Sequence, residues 1–343
     1  MSDRVGIGVI GMGFMGQTHA RAFLAARADG YACELRGVCD RDPDRRAGIA
    51  TAAGNIGSDK NAERIFDPEL VPGHDDVGAL LADPSIDLVS ICTHTDTHVD
   101  LAIRALDAGK HVLVEKPVAI RLADIERLRD HADRSDRLCV PAMCIRHWPG
   151  WADLRTMIDR GEHGRVVHAR FERLGAPPAW AGDFYADPDQ SGGAIFDLHV
   201  HDTDFARSLF GNPDSVSSIG DAHHISTQYR FPGGPAVTAE GGWMNDPAFP
   251  FRMGFCVEFE RAVVVFDSAR DPAMTLHKNA RTRAIPLPDR TGYDEQARAL
   301  VRAVLNPEAA AGLPTIDDAH AVTRIIEAER ASAAEGRPVP LAW

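Results

Sequence analysis

The stretch Val5-Gly6-Ile7-Gly8-Val9-Ile10-Gly11-Met12-Gly13-Phe14-Met15-Gly16 most constrains the fold of this chain. A strand-like apolar run meets glycines spaced G-x-G-x-x-G, and a helix-like segment follows. Each glycine has a physical use. Gly11 lets the chain leave a strand in a tight turn, Gly13 lets a pyrophosphate approach the backbone, and Gly16 lets the new helix pack closely on the sheet. The N–H groups at the helix start, with Phe14 and Met15 in its first turn, then face an anion. Thirty glycines in 343 residues produce chance matches. Here the motif follows a strand-like run and an acid closes the next one, which is the context a dinucleotide site requires.

That acid is Asp40, which ends Leu35-Arg36-Gly37-Val38-Cys39. It lies about 20 residues or more past the glycines, where a ribose-binding carboxylate belongs. A carboxylate accepts both ribose hydroxyls and repels a 2′-phosphate, so NAD is the expected cofactor. Arg41 follows and suits a phosphate, which leaves NADP open. An N-cap aspartate before Pro43 is the structural alternative.

Strand-like runs at 86–93, 111–114 and 138–143 alternate with helical patterns at 43–53, 76–82, 99–108 and 121–135. This alternation predicts a parallel, doubly wound sheet, whose ligands bind beyond the C-terminal strand ends. Asp40, Thr93, His94, Glu115 and Lys116 all fall at such ends.

The chain's length suits two domains. Hydrophobic residues make up 44% and charged residues 25%, ordinary values for a globular chain. A net charge of -13 disfavours nucleic acid and anionic membrane as partners. The six cysteines, none in C-x-x-C, read as reduced core residues of a cytoplasmic protein. Neither a signal pattern nor a bilayer-length apolar run is present.

Ala108-Gly109-Lys110-His111-Val112-Leu113-Val114-Glu115-Lys116-Pro117, with the glycine motif and the Thr93 to His98 turn, resembles the Gfo/Idh/MocA oxidoreductases. The resemblance covers the whole chain. It implies an α/β protein with a Rossmann dinucleotide-binding domain at 1–145. An α/β substrate and oligomerisation domain with a large, open, mainly antiparallel sheet follows at 146–343. Relatives often carry Pro-Asn where this chain has His94 and Thr95. His98 matches the family histidine that opens the next helix, and backbone bonding is its structural alternative. Glu115 is expected to brace its loop or contact the nicotinamide side, with the Pro117 peptide able to be cis. Arg146-His147-Trp148-Pro149 resembles the family crossover, where Arg146 contacts substrate or cofactor, or forms an interdomain salt bridge. Trp180 is a candidate wall for a sugar-like substrate.

Gly192-Gly193-Ala194-Ile195-Phe196-Asp197-Leu198-His199-Val200-His201-Asp202-Thr203-Asp204 resembles the family's second signature. On a helix, Asp197 and His201 share one face. Oxidation of a carbinol carbon needs a base for the hydroxyl proton, and an imidazole titrates near neutrality. The resemblance therefore makes His201 the base, Asp197 its orienting or substrate-anchoring partner, and Lys116 the cation that stabilises the developing oxygen charge. Asp202 and Asp204 read as structural. Asp197, His199 and His201, with His223 and His224, could be read as a metal site; none is expected, since the family role needs no metal and His199 should point away.

Alternating segments at 166–174, 216–231, 235–244, 253–260 and 262–267 suit an antiparallel sheet, and helical patterns return at 294–306 and 317–334. An uncovered, apolar face on that sheet would favour a dimer or tetramer. The expected activity is an NAD(P)-dependent dehydrogenase of a sugar, polyol or inositol-like cyclitol. Alternatives on the same scaffold are a glycoside-cleaving enzyme using transient oxidation by NAD and a non-catalytic NAD(P)-sensing or assembly protein.

Overall fold

The computed structural model describes residues 4–50, 64–178 and 187–343. The chain divides into two compact units, Met1–Cys144 with Thr291–His320, and Ile145–Arg290 with Ala321–Trp343.

The first unit is built on β1 (Val5–Ile10), β2 (Cys33–Cys39), β3 (Gly73–His74), β4 (Leu88–Ile91), β5 (His111–Val114) and β6 (Cys139–Pro141), all parallel, in the order β3-β2-β1-β4-β5-β6. This is the dinucleotide-binding strand order. β1 is buried along its whole length because both faces of the sheet are covered. Val5, Ile7 and Val9 pack with Phe23 of the helix Phe14–Ala28 on one face. Ile10 packs on the other with Leu80, Val99, Val112 and Ile125. Period-2 alternation thus feeds two cores at once.

The segment Thr291–His320 groups with this unit rather than with 146–290, where the sequence division puts it. The reason is apolar burial. Ala297, Leu300 and Val301 of the helix Gly292–Leu305 join the cluster formed by Val5, Ile7 and Phe23.

The second unit holds β7 (Val166–Gly175), β8 (Ser215–Gly220), β9 (His224–Arg230), β10 (Ala236–Trp243), β11 (Arg252–Phe259), β12 (Ala262–Asp267), β13 (Met274–Lys278), β14 (Arg281–Ala284) and β15 (Val339–Pro340). They form a nine-stranded sheet in the order β14-β13-β12-β11-β7-β10-β9-β8-β15. Within it, only β7 and β10 pair in parallel. One cross-strand row reads Leu276, Val264, Val257, Ala169, Val237, Tyr229 and Val216, every residue buried. Phe205, in the helix Val200–Phe210, and Trp151, in the helix Trp151–Asp159, pack edge-on against Phe171 and Phe255 of this inner face.

The adjoining row reads Thr275, Val265, Cys256, Arg170, Thr238, Gln228 and Ser217. The outer face is therefore mixed, not the apolar surface expected, because a half-solvated sheet alternates sides along each strand. Among the described residues no helix is long and apolar enough to cross a membrane.

Candidate functional site

Gly11 sits at φ 84, and a Cβ there would lie 2.7 Å from the Cys92 carbonyl oxygen. A Cβ on Gly16 would fall 1.8 Å from the carbonyl oxygen of Gly11, so helix and turn touch backbone to backbone. Gly13 differs: its nearest neighbour would be Arg45 Nη1 at 4.0 Å. That open side lies at the N-cap of the helix Phe14–Ala28, which has neither a side-chain cap nor an acid in its first turn. Phe14 and Met15 start this helix, and Met15 leans on the core below. The positive end of the helix is thus left for an anion. These features fit a dinucleotide pyrophosphate.

Asp40 caps the end of β2. Its Oδ2 accepts the Met12 N–H at 2.6 Å and its Oδ1 accepts the Asp42 N–H at 2.9 Å. The acid is not the helix N-cap, a role taken by Asp42. It instead ties the glycine turn to the neighbouring strand, with its carboxylate oriented at the strand ends. Arg45 Nη1 lies 3.9 Å away. The Arg41 side chain is exposed, and Arg46 holds the Asp40 and Arg41 carbonyls.

The helix after β4 begins at Thr95, four residues before the expected Val99, so His98 lies within its first turn. Thr93 bonds Thr97 at 2.6 Å, and His94 is the exposed N-cap. The buried His98 ring places Nδ1 2.9 Å from the Pro117 carbonyl oxygen and Nε2 3.1 Å from that of Thr93. Burial lowers its pKa, outweighing these carbonyls. The ring is neutral and donates to one of them. The Lys116–Pro117 peptide is cis.

Glu115 braces this turn: its Oε2 accepts the Lys116 N–H at 3.1 Å. Its Oε1 lies 3.0 Å from Nε2 of His19, a residue the sequence did not single out. Nδ1 of His19 lies 2.7 Å from Ser90 Oγ and 3.4 Å from Cys92 Sγ. Burial opposes charge on His19, but Cys92 and Glu115 outweigh it and push its pKa up to about 10. Burial likewise opposes charge on Glu115, and His19 with Lys116 brings its pKa below the usual value. The other lysine of the signature, Lys110, is spent on the carbonyls of Asp83 and Ile86.

In the second unit, Ile195–His199 forms a π-helical turn that runs into the helix Val200–Phe210. Such turns recur at functional sites. Asp197 lies in the π turn and is half-buried; His201 opens the helix and is buried. Trp243, the last residue of β10, donates its indole N–H to Asp197 Oδ2 at 3.2 Å. His199 packs on Gly241, where a Cβ would lie 2.7 Å from its own. Its Nε2 lies 3.2 Å from both Glu329 Oε2 and the Tyr229 hydroxyl, so it belongs to a buried core network. Among the described residues no group of three metal-ligating side chains could hold a metal ion.

The flanking acids have arginine partners. Arg173 clamps Asp202 at 3.0 and 3.1 Å, fully buried; burial still raises the Asp202 pKa against the pull of that arginine. Arg146 clamps Asp204 at 2.8 and 2.6 Å. This ion pair lies inside the second unit. Tyr293 lines the first unit's core, 6.2 Å from the His19 ring. Trp180 lies outside the described residues.

Residues 5–143 match the model of an oxidoreductase family with an NAD-binding Rossmann fold, and residues 151–255 match the GFO/IDH/MocA C-terminal domain. The chain is 30% identical to the NAD(+)-dependent scyllo-inositol 2-dehydrogenase of Bacillus subtilis, over 70% of this chain and 68% of that one. It is 33% identical to an oxidoreductase of Rhizobium meliloti, ORF334, over 60% of this chain and 59% of that one. The myo-inositol 2-dehydrogenase of Thermotoga maritima is 29% identical over 60% of this chain and 54% of its own length. Its match thus spans little more than half of the relative. In fold, the chain resembles a levoglucosan dehydrogenase solved with NADH and levoglucosan, with a TM-score of 0.81 at 21% identity, covering 99% of this chain and 100% of that one. The chain belongs to the GFO/IDH/MocA family of NAD-binding oxidoreductases.

Proposed function

We propose that the protein oxidises a secondary alcohol of a sugar, polyol or cyclitol. The observation that carries this reading is its likeness to an inositol dehydrogenase across 70% of the chain. The motifs of this sequence put forward Glu115, Lys116, Asp197 and His201, with Asp40 at its strand end, as the residues that carry it. When bound, NAD supplies the hydride acceptor.

The remaining chemistry belongs to the side chains. Hydride leaves a carbinol carbon readily only as the hydroxyl loses its proton. His201 takes that proton and passes it to solvent after the carbonyl forms. The Lys116 ammonium stabilises the charge that develops on the oxygen. Asp197, oriented by Trp243, anchors the substrate or the imidazole. Arg146, with its guanidinium clamped on Asp204, stays a candidate for substrate contact.

Turnover of myo-inositol, scyllo-inositol and a panel of aldoses and polyols with NAD tests the reading. Lys116→Ala, Asp197→Ala and His201→Ala should each bind NADH and lose about 10²- to 10⁴-fold in rate. Rates near wild type in all three variants defeat it. NADH that accumulates with substrate marks a dehydrogenase; a cofactor that recycles without accumulating marks the glycoside-cleaving alternative.

A further inference from the structure

We propose that His19 is a positioning residue for Lys116, acting through Glu115. It rests on the reading of Lys116 given above. The helix that opens at the glycine motif carries His19 one turn in, buried against the sheet. Ser90 and Cys92 hold Nδ1 from the end of β4. Nε2 faces Glu115 Oε1 at 3.0 Å, a charge contact more than an aligned hydrogen bond. The second carboxylate oxygen takes the Lys116 N–H. The imidazole therefore fixes the carboxylate, and the carboxylate fixes the backbone that aims the lysine. The Nδ1 of His98, from another helix, lies 2.9 Å from the next carbonyl oxygen, that of Pro117.

The arrangement is electrostatic as well as mechanical. The groups acting on Glu115 are His19, Lys116 and His98, and His19 in turn faces Cys92. With His19 charged, much of the carboxylate's field is cancelled at its source. Removing the imidazole turns that field on Lys116, and removing the carboxylate's charge withdraws it.

The test needs no known substrate. The chain has four lysines, Lys60, Lys110, Lys116 and Lys278. Reductive ¹³C-dimethylation of the full-length protein gives a simple lysine spectrum, with the Lys116 signal assigned by its loss in Lys116→Arg. In His19→Leu and Glu115→Gln this signal should move to opposite sides of its wild-type position, while the Lys278 signal stays. NADH affinity of His19→Leu should stay within about threefold of wild type. A general loosening of the turn would move the signal the same way in both variants and overturns the proposal, as does an unmoved signal in both. If His19→Leu does not fold, His19→Gln replaces it with the same expected direction. The spectrum is read without turnover, so its failure sinks this inference alone, whereas full activity in Lys116→Ala sinks the reading beneath it.

Discussion

The indole N–H of Trp243 meets the carboxylate of Asp197 at 3.2 Å, joining the end of β10 to the π-helical turn. Trp243 is buried with Ala194 and Leu198, so its ring is fixed and the donor direction with it. A hydrogen bond to a charged group contributes about 1.5–3 kcal/mol. Trp243→Phe keeps most of the ring and removes the donor. It should lower kcat about 10- to 100-fold with little change in NADH affinity. A wild-type rate in Trp243→Phe removes Trp243 from the site.

Gly13 and Gly16 should respond differently to the same added methyl. Gly13→Ala meets nothing nearer than 4.0 Å, so the fold should keep its melting temperature while NADH affinity drops about tenfold or more. Gly16→Ala drives a carbon to 1.8 Å from a carbonyl oxygen, and the helix must shift. Overpacking of this kind costs about 1–3 kcal/mol or more, visible in urea unfolding. Equal effects of the two substitutions on stability would contradict this division of labour.

His19, faced by Cys92 and by Glu115, gives the first unit a defined pH dependence. His19 titrates at about 10 in the folded protein against an ordinary 6.5. Its contribution is full below pH 6.5 and is lost as pH rises through 10. Glu115 is shifted down, so its contribution is full above its ordinary 4.5 and is lost as pH falls through the lower folded value. The difference in melting temperature between wild type and His19→Leu should thus be largest between pH 4.5 and 6.5 and shrink steadily towards pH 10. A difference constant over that range argues against the charged pair.

Arg173 and Asp202 are both buried, and the guanidinium also lies over the Trp151 ring. Removing one member of a buried pair strands the other charge and costs about 3–5 kcal/mol. Arg173→Leu should show that loss in urea unfolding, and Arg173→Leu with Asp202→Leu should recover part of it. A double variant no better than the single one would show that packing, not the stranded charge, sets the cost.

Features that restrict the backbone were legible in the sequence. Gly11 and Gly16 sit where no other residue fits, and Asp40 follows a strand end that alternation marks. His19 was not, because a histidine on a helix carries no sign of what lies across the sheet. Its meaning depends on β4 and β5 delivering Ser90 and Glu115 beneath it. The π turn at Ile195–His199 was hidden for another reason: over five residues its repeat cannot be told from an α-helix. The hairpin of β13 and β14 has a readable strand, Met274-Thr275-Leu276-His277-Lys278, but its turn is Asn279-Ala280, both at positive φ. The Asn-Gly pair that usually announces such a turn is missing.

Because Thr291–His320 belongs with the first unit, the polypeptide passes between the two units three times. A nucleotide-binding fragment therefore cannot be obtained by a single cut after Cys144. Such a piece would leave Val5, Ile7 and Phe23 without the cover of Leu300 and Val301, and should be recovered as an insoluble product. Splicing 1–144 to 291–320 restores that cover, and any replacement of the second unit has to respect the same non-contiguous seam.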